Sequence, residues 1–113
     1  MSPTQRSIKL LKEQGWQVQR VEHWNAFAKR RIDLWCGDLI AVHPTHGIAL
    51  VQTTTGANLS TRRIKCQESK YVLGFITAGG HFFLHGWRKI GGRGQRKLWN
   101  VKVEEIGPNG CGG

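Results

Sequence analysis

One carboxylate and two polar residues on a neighbouring strand are the side chains best placed to do chemistry. Asp38 opens the apolar run Gly37-Asp38-Leu39-Ile40-Ala41-Val42. Gln52 and Thr54 end a second run, Gly47-Ile48-Ala49-Leu50-Val51-Gln52-Thr53-Thr54. The break Pro44-Thr45-His46-Gly47 joins the runs as a hairpin, which brings Asp38 beside Gln52 and Thr54. Strand period two puts Gln52 and Thr54 on one side. A carboxylate next to an amide oxygen is a pair of oxygen ligands for a hard cation such as magnesium. Glu22 and Asp33 are further carboxylates that precede the hairpin. The plain structural roles are a turn or capping aspartate at Asp38, a satisfied buried amide at Gln52, and an ion pair of Asp33 with Arg30 or Arg31.

The histidines offer a second chemistry. His81 and His85 share a strand face, and His43 and His46 flank the tight turn. Such pairs can act as acid and base without a metal, although no lysine–tyrosine–histidine set accompanies them. Zinc is poorly served, because Cys36, Cys66 and Cys111 are scattered and no C-x-x-C occurs. The same spacing argues against a disulfide framework.

Charge narrows the partner. Seventeen Lys and Arg face seven Asp and Glu, a formal +10 over 113 residues. A small domain this basic repels itself unless a polyanion is near, and nucleic acid is the usual one, because neutralised phosphates release counterions. The cations cluster as Lys29-Arg30-Arg31, as Arg62, Arg63 and Lys65, and as Arg88, Lys89, Arg93, Arg96 and Lys97 around Gly91-Gly92. Trp24, Phe27 and Trp35 interleave with the first cluster, a pattern suited to stacking on unpaired bases, or else to a core. No apolar run is long enough to span a bilayer and the N-terminus lacks an apolar signal core, so the expectation is a cytoplasmic protein without a membrane partner.

The elements that must position these residues follow from periodicity and punctuation. Ser2-Pro3 caps a helix over residues 4–14, with Ile8, Leu10 and Leu11 along its apolar stripe and Gly15 as its stop. Residues 16–21 alternate as a strand, and residues 23–35 read as irregular. After the hairpin, residues 55–58 form a turn and Ser60 caps a helix that starts near Thr61. Arg62, Arg63 and Lys65 then oppose the macrodipole in its first turns, which suggests an external anion. Residues 69–77 form a second helical stretch that ends at Ala78-Gly79-Gly80. Strands follow over 81–87 and 97–103, with a basic loop between them. The expectation is a single α/β domain over residues 1–106 and a Gly-rich tail over 107–113.

With Asp38 at the start of its strand, this element order resembles the PD-(D/E)XK nuclease superfamily, the restriction-endonuclease-like fold. Small Holliday-junction-resolvase-like and phage-type nuclease domains are the nearest likeness, over roughly residues 5–105. The resemblance implies an α-β-β-β-α-β-β sandwich around a central mixed sheet. It implies that Asp38 is the metal-binding aspartate, that Gln52 occupies the place of the second carboxylate, and that Thr54 occupies the place of the lysine. The opening helix lacks the glutamate that resolvases carry. Lys65 or Arg62 would then stand in as a migrated cation, and Glu22 and Asp33 would complete a site for Mg2+ or Mn2+.

The expected function is a magnesium-dependent endonuclease on branched, flapped or single-strand-containing DNA, with Asp38, Gln52, Thr54 and Lys65 as its catalytic set. A homodimer is implied by the resolvases. Two rivals accompany it: a non-catalytic DNA-binding domain that retains the fold, and a basic structural or assembly protein.

Overall fold

The computed structural model describes residues 2–25, 30–33, 37–94 and 96–107, and of residues 22–25 and 30–33 the backbone alone. Helix α1 (Pro3–Glu13) starts with a reciprocal cap. The Ser2 hydroxyl accepts from the Gln5 backbone N–H, and the Gln5 side chain accepts from the Ser2 N–H. Strand β1 (Gln17–Arg20) follows, then a separate ribbon of β2 (Glu22–Asn25) and β3 (Arg30–Asp33). Next come β4 (Leu39–His43) and β5 (Gly47–Thr55), a 3-10 turn (Gly56–Asn58), α2 (Leu59–Glu68) and α3 (Lys70–Thr77). Strands β6 (His81–Ile90) and β7 (Leu98–Glu105) close the order.

The five-stranded sheet runs β1-β4-β5-β6-β7, antiparallel except where β6 lies parallel to β5. The crossover that a parallel pair requires is supplied by α2 and α3. These helices cover one face, where Leu50, Phe82, Leu84, Val72, Leu59, Cys66 and Ile106 form the main core. Helix α1 covers the other face through Leu11 against Leu39 and Val51, edged by Ile8, Trp16, Val18 and Phe83. Gly86 marks how closely α2 approaches the sheet, since a Cβ there would fall 2.9 Å from Leu59.

The α/β class and the mixed sheet agree with the sequence reading, and three details do not. Residues 22–25 and 30–33 pair as a ribbon where irregular chain was expected. That ribbon is a two-stranded sheet of its own among the described residues, and neither segment carries a clear period-two apolar signal in the sequence. Helix α2 starts at Leu59 with Asn58 at its cap, and Ser60 lies inside it. The buried side of α1 is Thr4, Ser7 and Leu11, so the upper half of the expected apolar stripe is polar. The element order α-β-β-β-α-β-β therefore gains two strands, while the second helical stretch expected over 69–77 is α3, capped by the Ser69 hydroxyl, which accepts from the Val72 N–H. The Gly-rich tail expected over 107–113 lies outside the described residues after Gly107.

Candidate functional site

The hairpin β4–β5 is in register Leu39↔Val51 through His43↔Gly47, which sets Asp38 next to the end of β5. Gly37, at φ +81, turns the chain into the strand, a conformation that side-chain-bearing residues rarely adopt. The Asp38 N–H then donates to the Val51 carbonyl at 2.9 Å, and its carboxylate is buried. Oδ2 of Asp38 accepts three hydrogen bonds: from the Thr53 N–H at 2.7 Å, the Thr53 hydroxyl at 2.9 Å and the Gln52 Nε2 at 3.1 Å. A carboxylate only accepts, so Gln52 must present its nitrogen to Asp38. Thr53 has spent its hydroxyl hydrogen on Asp38, and it therefore accepts from the Thr4 hydroxyl at 2.9 Å. Asp38 is thus tied through Thr53 to α1.

A second polar cluster continues this layer beneath α1. The Trp87 Nε1 donates to the Ser7 Oγ at 2.8 Å, and Ser7 lies 2.8 Å from the His85 Nδ1. The indole nitrogen can only donate, which leaves the Ser7 hydrogen for His85. Burial pushes the His85 pKa down to about 4, so the ring is neutral at neutral pH and accepts at Nδ1. Sequence reasoning missed this cluster and the Thr4–Thr53 contact. The readable signal was Thr4, Ser7 and Leu11 at helical spacing, with hydroxyls where a core stripe needs partners.

The other predicted residues distribute as follows. Thr54 is buried on the Gln52 side of β5. Gln52 also lines a cleft of about 160 Å³ together with Gly37, Arg62, Lys65 and Cys66, so Lys65 and Arg62 border the Asp38–Gln52 corner. Burial raises the Cys66 thiol to about 11, which leaves it an inert neutral group. His81 and His85 do share the α1 face, but they have separate partners: His81 meets Glu105 at 3.1 Å, while His85 is sealed against Ser7. His43 accepts from the Thr45 and His46 N–H groups at 3.0 and 3.2 Å and serves as the clasp of its turn. Glu22 stands opposite Asp33 in the β2–β3 ladder. The side chains of Glu22, Asp33, Arg30 and Arg31 lie outside the described residues, as do Lys29 and the side chains of Trp24, Phe27 and Trp35.

These donors do not fit a magnesium centre. Asp38 is the one carboxylate at the corner among the described residues, and its Oδ2 already serves three donors. Gln52 turns a hydrogen-bearing nitrogen to it, and no group of three or more His, Cys, Asp or Glu is suited to a metal among the described residues. The expected Asp38–Gln52 ligand pair is a hydrogen-bonded pair here, with the Gln52 nitrogen and not its oxygen turned to the carboxylate.

The cations behave differently. Arg63 is not free: its Nε and Nη2 grip the Glu104 carboxylate at 2.5 and 2.7 Å. That bond holds the Glu104 carboxyl below its ordinary range. Arg88, Lys89, Arg93, Arg96 and Lys97, by contrast, are all exposed at the β6–β7 hairpin, as are Arg62 and Lys65 on α2. None of these seven pairs with an acidic group among the described residues. The tip is tightly folded, since a Cβ at Gly91 would fall 3.0 Å from the Arg96 carbonyl. The Arg88 stem passes over Gly56 at the entrance to α2, which joins the two groups of cations.

Trp99 adds an aromatic surface to this arm. The Arg6 guanidinium lies 4.0 Å and the Lys89 ammonium 5.4 Å from its ring centroid. The groove beside it, about 270 Å³, is lined by Arg6, Lys9, Leu10, Glu13, Trp87 and Trp99. Arg6 and Lys9 were not foreseen, because only folding brings α1 against β7. Comparison with known proteins finds no matching family model, no matching curated protein and no matching solved structure.

Proposed function

We propose that the chain is a nucleic-acid-binding protein, with DNA as its partner, that grips the phosphate backbone through the β6–β7 hairpin and the adjoining face of α2. The observation that carries this reading is the unpaired state of Arg88, Lys89, Arg93, Arg96, Lys97, Arg62 and Lys65 among the described residues, while Arg63 is neutralised by Glu104. Cations that serve the fold find carboxylates, as Arg63 does. Cations left open on a projecting hairpin keep their charge for an external polyanion. The half-exposed Trp99 indole, flanked by Arg6 and Lys89, suits an unpaired base beside the backbone contacts, so strands with single-stranded character are the preferred form. In this reading Asp38 is a clasp between β4, β5 and α1, and no step of hydrolysis is assigned to it.

The test is duplex and flap DNA binding across a salt series. Arg93→Ala, Arg96→Ala and Lys97→Ala together should reduce the slope of log affinity against log salt by about 2–3, close to one for each phosphate that the variant leaves unneutralised. Arg63→Ala should change the slope least, because its charge is already answered. An unchanged slope in the triple variant rejects the surface.

The endonuclease reading keeps one observation in its favour. An opening helix, three antiparallel strands β1, β4 and β5, and a helical crossover to a parallel strand are the order expected of a restriction-endonuclease-like fold, with Asp38 and Gln52 in contact. Junction, flap and duplex DNA incubated with magnesium or manganese decide it. Cutting by the wild type that disappears in folded Asp38→Asn would restore the enzyme, and its absence in every substrate leaves the binding protein.

A further inference from the structure

Strand β7 ends the sheet, and its outer backbone edge has no partner among the described residues. An open edge of this kind is a template for another strand unless it is blunted. The register with β6 is uniform from Phe83↔Glu105 to Ile90↔Leu98, so no bulge disrupts it. The Ile106 N–H donates to the Phe82 carbonyl at 2.9 Å. In an antiparallel ladder the bonded residues alternate, so the even-numbered residues of β7 turn their N–H and C=O groups toward β6. Trp99, Val101 and Val103 therefore direct theirs to the free edge. The side chains add to this: Leu98, Trp99 and Val103 are 60, 40 and 49% exposed, an unusual concentration of large apolar groups on one strand.

The sequence of β7 is also complementary to itself. Its entrance is basic, Arg96-Lys97, and its exit is acidic, Glu104-Glu105. Laid antiparallel on a second copy and centred on Val101, it sets Lys97 against Glu105 and Trp99 against Val103. Asn100 then faces Lys102, and Val101 meets its twin. No like charges oppose each other, and the aromatic–β-branched pair is among the favourable cross-strand combinations. Moving the centre one residue onward places Lys102 against its own copy, which is unfavourable. We propose that two copies of this chain pair edge to edge through β7 in the Val101-centred register, which makes one continuous ten-stranded sheet across a two-fold axis. Three backbone positions per strand, those of Trp99, Val101 and Val103, supply the hydrogen bonds, and their side chains form one apolar ridge on the α1 face. The interface is isologous, so it closes at a dimer and leaves only the β1 edges outside.

In this register Lys97 belongs to the dimer seam, and the phosphate grip falls to the other cations of the hairpin and α2. Sedimentation equilibrium without nucleic acid tests this, and its outcome is independent of whether DNA binds. The wild type should sediment at twice the chain mass, and a monomer throughout the micromolar range overturns the proposal. Val101→Pro deletes an outward N–H and no bond to β6, so it should fold and be monomeric. A Val101→Pro protein that is still a dimer rejects this edge. If Val101→Pro fails to fold, the charge variants decide. Lys97→Glu should weaken dimerisation about tenfold at low salt, since symmetry breaks two ion pairs, and Lys97→Glu combined with Glu105→Lys should restore it. A double variant no tighter than Lys97→Glu alone rejects the register.

Discussion

The Asp38 corner and the β6–β7 hairpin lie on the same sheet and treat charge in opposite ways. At the corner one carboxylate is buried and surrounded by donors from Gln52 and Thr53, with Thr4 behind them. On the hairpin five cations stand in solvent with no acidic partner among the described residues. The first arrangement is closed around the Asp38 Oδ2, whose three donors all come from within the fold, so its free energy goes to the fold. The second is open, and in the proposed reading its charge is answered by a ligand. Residue type alone misleads here. An acid at a strand mouth looks like chemistry, yet its hydrogen bonds tie it into the fold, whereas the clustered cations of the hairpin stay exposed.

Removing the centre of the closed set should have the largest effect on stability. Asp38→Ala strips the acceptor from a buried N–H, a buried hydroxyl and an amide, and should cost about 3–4 kcal/mol in denaturant unfolding. Asp38→Asn keeps one acceptor and should cost about half as much. A loss below about 1 kcal/mol for Asp38→Ala would mean that the corner is not closed.

Acid should come next. The folded His85 pKa is about 4 against an ordinary 6.5, so the unfolded chain takes up the proton first. The stability tied to the neutral ring is complete above pH 6.5 and is lost as pH falls toward 4, below which this group adds no further change. The shift corresponds to about 3 kcal/mol. Melting at pH 7.5 and 4.5, compared with a His85→Phe variant that lacks the titration, checks the sign and the window. Ser7→Ala ranks third at about 2 kcal/mol, because it strands the Trp87 N–H and the His85 nitrogen in the interior.

The smallest effect belongs to the open set. The Arg93, Arg96 and Lys97 triple alanine variant should melt within about 0.5 kcal/mol of wild type while its salt-dependent binding collapses. A large loss of stability in that variant would erase the contrast between the two regions.

Much of this was legible from residue order. Ser2-Pro3, Gly15, the turn at Pro44–Gly47 and the glycines at 79–80 mark element ends by backbone chemistry alone, and they fall where the elements end. The contact of Asp38 with Gln52 followed from the hairpin. What it does there did not, because an amide can turn either its oxygen or its nitrogen inward, and that choice is made by what else surrounds it. The neutralisation of Arg63 was hidden for a similar reason: Glu104 lies on another element, 41 residues away. The pairing of residues 22–25 with 30–33 escaped because neither short segment alternates apolar and polar residues clearly in the sequence.

The hydroxyls beneath α1 have a consequence for the order in which the chain is made. Thr4 waits for Thr53, and Ser7 waits for His85 and Trp87, the last of these 80 residues later. During synthesis α1 leaves the ribosome several seconds before those partners exist, at roughly 5–20 residues per second. A leucine stripe exposed for that time would invite association with other nascent chains. Threonine and serine are at ease in water, so α1 can remain undocked without harm until β5 and β6 arrive to receive it.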